Sequence, residues 1–301
     1  MIPKDQISVF LNIYFFELER YLNQFCLEEL KKVTFHSDEA NTDRPLKESI
    51  KNILQTKFNS IPNNLHNKTL ELYDQDENLL SSYEYKYYFN FKVSRILLPN
   101  EITEGLKIHL RRPNVVYTHP DLLLIVTDGE SSYLVPLELK STKDNSIPGS
   151  SVQQIQGDEW VIFVKHTNKS FNVTIGRYLC AVNENMQFPD RSPRPSVSFK
   201  TILDWNDEFI NNDTESLKIK YPKDLIDKKQ ELINDWQNVL VNRWLDVIAI
   251  PNTKKKVSWF NHTIKKFTIN LLERYEKLSH LEQKQLLNKL KTEIEYEKST
   301  D

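Results

Sequence analysis

The most constraining feature of the sequence is a segment in which two apolar runs flank a turn, each with a carboxylate near its outer end. Residues 119–142 read HPDLLLIVTDGESSYLVPLELKST. This pattern predicts an antiparallel β-hairpin. Counting outward from a four-residue loop at 128–131 sets Asp121 directly opposite Glu138. A two-residue Asp-Gly turn would shift the pairing by two positions and leave the two carboxylates as diagonal neighbours.

The expected pairing puts two like charges close together. Directly opposed side chains in an antiparallel pair have Cβ atoms roughly 5 Å apart, so two carboxylates there are destabilising unless a cation lies between them. Because side chains alternate along a strand, Lys140 should project from the same face as Glu138, with Leu137 and Leu139 in the apolar layer behind. Oxygen ligands at this spacing suit Mg²⁺, which binds through one or two carboxylates and keeps several waters.

These residues resemble a known signature. Pro120-Asp121, a gap of seventeen positions to Glu138, and then Glu138-Leu139-Lys140 are similar to the pattern of the PD-(D/E)xK nuclease superfamily. The resemblance implies that Asp121 and Glu138 hold Mg²⁺ and that the backbone carbonyl of Leu139 adds a ligand. It also implies that Lys140 orients the attacking water or helps to deprotonate it, which makes all three side chains catalytic.

Within that superfamily the chain looks most like a type II restriction endonuclease, because it is a stand-alone module of 301 residues without an ATPase motor. The resemblance implies Mg²⁺-dependent, site-specific hydrolysis of double-stranded DNA that leaves 5′-phosphate and 3′-hydroxyl ends. One alternative keeps the chemistry in a repair, transposon-associated or phage-defence nuclease without strict sequence specificity. Another is a non-catalytic DNA-binding protein whose carboxylates are idle. Many superfamily members add an upstream acid, for which Glu17, Glu48 and Glu84 are candidates.

Composition excludes several other chemistries. The five glycines form neither GxGxxG nor GxxxxGK, so no nucleotide cofactor is expected, and the GxSxG and HExxH motifs are absent. Cys26 and Cys180 are the only cysteines, and the N-terminus lacks the zones of a secretory signal, so a reducing, cytoplasmic location is expected. No apolar run is long enough for a membrane span.

The hydrophobic pattern predicts an α/β (α+β) protein with a central mixed β-sheet flanked by helices, and the resemblance implies that this core is restriction-endonuclease-like. We expect an N-terminal helical region at 1–80, the catalytic core at 81–200, and a C-terminal helical region at 201–301 packed as one unit with the core. Six apolar positions alternate strictly over 82–93, which predicts one half-buried strand. The proline-rich stretch 188–196 is expected to be an irregular loop. The remaining predictions are helices at 7–32, 46–58, 259–277 and 281–298 and strands at 121–127, 133–140, 160–165 and 171–182.

A formal net charge of −2 gives no overall positive field, so any DNA contact must be a local patch. The DNA-binding candidates are Lys143 and Asn145 after the hairpin and Arg191 and Arg194 in the proline-rich loop. Weaker candidates are Lys107, His109, Arg111 and Arg112 before the hairpin, Gln153, Gln154 and Gln156 after it, and residues 254–256. A palindromic duplex target favours a homodimer, which the helical end regions could supply.

Overall fold

The protein is described by a computed structural model that covers residues 2–33, 44–110, 120–149, 156–167, 170–187, 194–249 and 258–300. The chain divides into two compact units, Met1–Asn234 and Asp235–Asp301. In the described residues the first unit is mixed α/β, with several sheets flanked by helices, and the second is helical. None of the described helices is both long and apolar enough to cross a membrane.

The first unit contains seven described helices and twelve described strands. The helices are α1 (Gln6–Tyr21), α2 (Leu27–Leu30), α3 (Arg44–Thr56), α4 (Glu104–Leu110), α5 (Tyr178–Ala181), α6 (Phe199–Phe209) and α7 (Lys223–Asn234). The strands are β1 (Thr69–Tyr73), β2 (Leu79–Glu84), β3 (Lys92–Leu97), β4 (Leu122–Thr127), β5 (Ser132–Thr142), β6 (Ser146–Pro148), β7 (Trp160–His166), β8 (Phe171–Arg177), β9 (Val182–Gln187), β10 (Arg194–Ser198), β11 (Ile210–Asn212) and β12 (Ser216–Lys220).

A five-stranded sheet in the order β3-β4-β5-β7-β8 carries the predicted hairpin at its centre. The sheet is mixed, because β5 pairs with β7 in parallel and the other neighbouring pairs are antiparallel. One face packs against α1, whose residues from Val9 to Leu18 are all buried. Leu137 and Leu139 belong to this core, so the prediction that they lie in an apolar layer is confirmed.

The opposite face of the sheet carries two separate apolar clusters. Leu123 of β4 belongs to one, with Leu97 and Leu110, whereas Val161 and Phe163 of β7 belong to the other. Glu138 pairs in register with Val161, and Lys140 with Phe163. Because paired residues project to the same face of a sheet, both charged side chains lie on this second face.

A four-stranded sheet in the order β11-β12-β1-β2 joins sequence-distant segments, because β1 pairs in parallel with β12. The predicted helical regions at 1–80 and 201–301 therefore also contain strands. Sequence patterns missed these strands because each is only three to six residues long.

The single strand predicted over 82–93 is wrong. Strand β2 ends at Glu84, a 3₁₀ turn covers Tyr85–Tyr88, and β3 begins at Lys92. Tyr85 and Tyr88 are both buried, whereas Tyr87 is 66% exposed. A 3₁₀ turn aligns residues three apart, so it buries these two rings together, and the Tyr85 hydroxyl reaches Glu17.

The irregular loop predicted over 188–196 is partly wrong, although 188–193 lie outside the described residues. Strand β10 is the middle strand of a three-stranded sheet in the order β6-β10-β9 and contains Pro195. The register shifts between Pro195 and Val197, and the Pro195 carbonyl accepts from the Gly149 amide at 2.8 Å. The irregularity accommodates a residue that has no N–H for the ladder.

The other predicted elements agree with the structure to within a few residues, with two exceptions. The helix predicted over 7–32 contains a π-helical segment, Leu22–Cys26. The strand predicted over 171–182 ends at Arg177 and gives way to the short helix α5.

Side chains from two helices cover the outer edge of β8, which is the last strand of the main sheet. Asn23 donates to the Val173 carbonyl at 2.7 Å and accepts from the Val173 amide at 3.0 Å, as a neighbouring strand would. Glu19 accepts from the Ile175 amide, and Asn206 donates to the Ile175 carbonyl at 2.9 Å. Covering these backbone groups stops the edge from pairing with another chain.

Ionisation of the Glu19 carboxyl is unfavourable in this position because the group is buried. Burial raises the pKa of its carboxyl to about 7 and the nearby Asp207 carboxylate adds to the increase, although hydrogen bonds from Ile175, Thr174 and Asn206 oppose it. A folded-state pKa above the unfolded value means that the folded state binds the proton more tightly. The contribution of Glu19 to the free energy of unfolding is therefore greatest below about pH 4.5 and is lost as the pH rises through about 7.

We expect Glu19→Gln, which keeps the acceptor and removes the charge, to raise the free energy of unfolding by about 1–2 kcal/mol at pH 8 and to change little at pH 4.5. Urea unfolding at the two pH values measures this. The control is Asn23→Ala on the same strand edge, which should lower stability by about 1–2 kcal/mol at both pH values through two lost hydrogen bonds. A pH-independent effect of Glu19→Gln would contradict the assignment.

The second unit contains the helices α8 (Trp236–Ala249), α9 (Ser258–Glu276) and α10 (His280–Thr300). Helix α10 begins with a reciprocal cap, in which Glu282 accepts from the Ser279 amide at 2.8 Å and Ser279 accepts from the Glu282 amide at 3.4 Å. This is the capping box of an S-x-x-E sequence. Gln283 ties the start of α10 to the end of α9 by donating to the carbonyls of Tyr275 and Leu278.

Candidate functional site

The β4–β5 hairpin has the register that the four-residue loop predicts. Thr127 pairs with Ser132, and the ladder runs outward to Leu122 opposite Leu137, so the next positions on the two strands are Asp121 and Glu138. The turn forms because the Asp128 carboxylate accepts from the amides of Glu130 and Ser131 at 2.9 and 2.7 Å. Gly129 takes a φ of 99°, in the left-handed region that favours glycine.

The Asp121 carboxylate is fixed to the main chain of the opposite strand. Its Oδ2 accepts from the Leu139 amide at 2.8 Å. Because the N–H and C=O of one strand residue point to the same side, the Leu139 carbonyl also lies on the side of β5 that faces Asp121. The carbonyl that the resemblance implicates as a ligand is therefore directed towards the carboxylate.

Each carboxylate of the pair is matched by a lysine. The Lys140 Nζ lies 2.5 Å from Glu138 Oε1, and the Lys47 Nζ of α3 lies 2.5 Å from Asp121 Oδ1. The four side chains are between 9% and 19% exposed. Because the four side chains are largely buried, the two ion pairs interact much more strongly than the same pairs would in water.

The pKa shifts show that these charges act on one another. Burial raises the pKa of Asp121 and the negative charge of Glu138 raises it further, while Lys140 and Lys47 lower it without cancelling the increase. Burial lowers the pKa of Lys140, but Glu138, Tyr178 and Asp121 outweigh burial and raise it. The surroundings therefore favour the ammonium form of Lys140 and make Asp121 a weaker acid than an exposed aspartate.

Lys47 is the member of this cluster that the sequence did not reveal. Helix α3 buries Leu46, Ile50 and Ile53 against the core, and Lys47 lies beside that stripe with its ammonium directed to Asp121. One turn further, Lys51 pairs with Glu101 at 2.6 Å. The i, i+4 spacing of the two lysines on an amphipathic helix is the local signal, but it does not indicate which acid each one meets.

None of the three upstream acids completes the site. Glu17 is buried and pairs with Lys68 at 2.7 Å, Glu48 pairs with Arg44, and Glu84 pairs with Lys86. Over the described ranges, no group of three or more His, Cys, Asp or Glu side chains is arranged to hold a metal ion. Each of the three candidate acids is therefore paired with a basic side chain other than Lys47 and Lys140.

Two carboxylates and a backbone carbonyl still fit Mg²⁺. This ion takes one or two protein carboxylates and fills its remaining positions with water and substrate phosphate oxygens, so it does not need a third acidic side chain. Burial raises the pKa of Asp121 and the neighbouring Glu138 carboxylate adds to the increase; a divalent cation between the two carboxylates would relieve that repulsion. Asp121, Glu138 and the Leu139 carbonyl are the groups that would hold the ion.

The predicted DNA contacts are only partly described. Lys143 and Asn145 follow β5 directly and are exposed, and Asn145 accepts from Lys165 at 2.5 Å while its carbonyl accepts from the Phe199 amide. They lie beyond the end of β5 that carries Lys140. Arg191 lies outside the described residues, and Arg194 is placed in β10 without a described side chain.

The weaker candidates are similarly divided. Lys107 of α4 pairs with Glu104, and His109 lines an open cleft of about 870 Å³ beside β5. The Gln156 Oε1 is buried and has no hydrogen-bond partner within the described part of the chain. The other predicted contacts, Arg111, Arg112, Gln153, Gln154 and residues 254–256, lie outside the described residues.

Comparisons with models of protein families, with curated proteins and with solved structures found no match for this chain. The positions of Asp121, Glu138 and Lys140 therefore carry the functional inference. Lys47 adds to it as a cation close enough to compete with a metal for Asp121.

We expect Lys47→Met to lower the free energy of unfolding by about 1–2 kcal/mol without metal, because Asp121 then faces Glu138 with one cation fewer. Added Mg²⁺ should raise the melting temperature of this variant more than that of the wild type, since the ion no longer competes with Lys47. Thermal unfolding with and without Mg²⁺, alongside calorimetric titration of Mg²⁺, measures both effects.

Lys51→Met is the matched control, because Lys51 lies on the same helix, is similarly buried and has an ion pair of nearly the same length. It should lose some stability and respond to Mg²⁺ as the wild type does. An equal Mg²⁺ response in the two variants would show that Lys47 does not compete at the site.

Proposed function

We propose that this protein is a Mg²⁺-dependent endodeoxyribonuclease of the type II restriction enzyme kind, which hydrolyses double-stranded DNA to 5′-phosphate and 3′-hydroxyl ends. The observation that carries the proposal is the placement of Asp121 opposite Glu138, with Lys140 on the same face of the sheet. These are the residues whose sequence pattern resembles the PD-(D/E)xK signature. A structural hairpin has no need for two half-buried carboxylates at opposed positions.

The arrangement of elements supports a restriction-endonuclease-like core. Helix α1 covers one face of a mixed sheet, and an antiparallel unit of β3, β4 and β5 is followed by the parallel strand β7. Asp121 directly precedes β4 and Glu138 lies on β5, and both are on the side of the sheet that faces away from α1. Loops beyond the end of β5 therefore lie where a duplex would approach the site.

The chain's own residues have distinct tasks in the proposed reaction. Asp121 and Glu138 would hold the metal together with the Leu139 carbonyl. When bound, the metal supplies a nucleophile near neutral pH and relieves charge on the phosphate oxygens. Lys140 projects from the same face as Glu138, with its Nζ 2.5 Å from Glu138 Oε1, so it would orient the attacking water or help to deprotonate it and would offset negative charge on the phosphate.

Specific recognition is assigned to the loops. Lys143 and Asn145 follow the catalytic strand, and an asparagine amide pairs well with adenine in the major groove. Arg191 and Arg194 are the other candidates; Arg191 lies outside the described residues, and Arg194 is the first residue of strand β10. A homodimer would cut both strands of a palindromic site.

One observation favours a second candidate, a non-catalytic DNA-binding protein with the same fold. Lys47 and Lys140 each neutralise one carboxylate, so the hairpin is already balanced by two ion pairs without a metal. In that case the cluster is structural, and its removal should affect stability alone.

Digestion of a sequenced plasmid with Mg²⁺, followed by mapping of the ends, tests the proposal. We expect discrete fragments with 5′-phosphates, and at least a 100-fold loss of cleavage rate in Asp121→Asn, Glu138→Gln and Lys140→Ala. Glu130→Gln, in the exposed turn of the same hairpin, is the control and should cut at the wild-type rate. Circular dichroism and a DNA-binding titration should show that the inactive variants still fold and bind.

The other outcomes discriminate among the rivals. A smear instead of discrete bands would indicate a nuclease without strict specificity, such as a repair or phage-defence enzyme. Intact plasmid with DNA binding retained would favour the non-catalytic protein. Unchanged cleavage in Lys140→Ala would show that the proposed site is not where the reaction takes place.

A further inference from the structure

Three buried polar atoms of the first unit line one small cavity and have no hydrogen-bond partner among the described residues. They are Trp160 Nε1, Asn206 Oδ1 and the Tyr221 hydroxyl, on residues that are between 2% and 8% exposed. Leaving a buried polar atom unpaired is unfavourable, so nearly all such atoms in folded proteins bond to protein or to an ordered ligand. Three of them around one space indicate a shared ligand.

The cavity lies among elements that are far apart in the sequence. Trp160 begins β7 of the five-stranded sheet, Tyr221 directly follows β12 of the four-stranded sheet, and Asn206 belongs to α6. Residues of α1 and β8 complete the lining. The volume is about 20 Å³, which admits a water molecule but not a larger organic ligand. A ligand in this position would connect α6 to both of the larger sheets.

The three unpaired atoms require a ligand that both accepts and donates hydrogen bonds. An indole N–H can only donate and an amide oxygen can only accept, whereas a hydroxyl does both. The orientation of the Asn206 amide is fixed, because its Nδ2 donates to the Ile175 carbonyl at 2.9 Å and to Thr174 Oγ1 at 3.2 Å. Water meets all of these requirements, and a buried water typically makes about three hydrogen bonds.

The positive charge of Arg177, which also lines the cavity, makes a small anion the main alternative ligand. The guanidinium already has other partners, since its Cζ lies 4.0 Å from the centre of the Trp160 ring and its Nη1 donates to the Asp158 carbonyl at 2.5 Å. Arg177 also lines the open cleft of about 870 Å³, where solvent can hydrate it. An anion in the cavity would be repelled by the Asn206 oxygen, so a neutral ligand fits better.

We propose that this cavity is a binding site for one water molecule that forms a fixed part of the fold. The water accepts a hydrogen bond from Trp160 Nε1, donates one to Asn206 Oδ1 and has the Tyr221 hydroxyl as its third partner. It extends a hydrogen-bonded chain that begins at Glu19, whose Oε2 accepts from Asn206 Nδ2 at 3.2 Å. The site is independent of the cleavage chemistry, so its test needs neither DNA nor metal.

NMR magnetisation transfer from water to the Trp160 indole proton tests the site directly in the full chain labelled with ¹⁵N. We expect a dipolar cross-peak with the sign of a water that tumbles with the protein. Trp160→Phe identifies this signal by its loss, and the peak should persist in Tyr221→Phe, which excludes relay through an exchanging hydroxyl proton. A wild-type spectrum without the cross-peak would overturn the proposal.

A bromide titration of the same spectrum tests the anion. Sodium bromide should leave the Trp160 indole resonance where sodium sulfate of equal ionic strength leaves it, because sulfate is too large for the cavity. A saturable shift with bromide alone would show that the ligand is a small anion and that the proposed water is wrong.

The stability of Tyr221→Phe separates a hydrated hydroxyl from an unpaired one by the sign of the effect. Loss of a hydrogen bond to water should raise the equilibrium constant for unfolding by about fivefold, whereas removal of an unpaired buried hydroxyl should lower it. Tyr14→Phe is the matched control and should also raise the constant, because Tyr14 is buried and donates to the Phe58 carbonyl at 2.7 Å. Urea unfolding measures both variants, and an unchanged or lowered constant in Tyr221→Phe would contradict the proposal.

Discussion

The opposition of two carboxylates across one hairpin is the interaction on which the rest of the site depends. The Asp128 turn sets the register, the register puts Asp121 opposite Glu138, and the Leu139 amide fixes the Asp121 carboxylate to the neighbouring strand. Such a pair stores repulsion, which the raised pKa of Asp121 reflects after burial is taken into account. A folded protein tolerates this arrangement only with cations nearby, and here two lysines supply them.

The surrounding sheet makes that placement rigid. Alternation along β5 sends Leu137 and Leu139 into the core under α1 and leaves Glu138 and Lys140 on the other face. Any slip of one residue would bury the charges and expose the leucines, so the core enforces the register of the site. The covered edge of β8 serves the same end, because the sheet stops at five strands instead of recruiting another chain.

The features of the fold that depend on short-range sequence patterns could be predicted from the sequence. The hairpin, its register and the shared face of Glu138 and Lys140 follow from turn chemistry and strand alternation, and the long helices follow from apolar periodicity. Lys47 could not be predicted in the same way, because its contact with Asp121 depends on how α3 packs beside the sheet. The strand prediction failed at Tyr85 because this side chain is buried and its hydroxyl donates a hydrogen bond to Glu17, a distant contact that the alternating pattern does not indicate. Strands β1 and β12 are far apart in the sequence, so their pairing is a tertiary contact that the local pattern of either short strand cannot predict.

The two lysines differ in how they are held, which bears on what the cluster can do. Lys140 belongs to the strand that also carries Glu138, two residues away on the same face, so the backbone keeps its Cα close to that carboxylate. Lys47 reaches Asp121 from a separate helix along a flexible four-carbon stem, and its withdrawal requires only side-chain rotation. In the cluster of two carboxylates and two lysines, another cation could therefore replace the Lys47 ammonium at Asp121 without a movement of the backbone. If a metal binds to Asp121 as proposed, Lys47 is the cation that it would displace, because the two lysines belong to different elements.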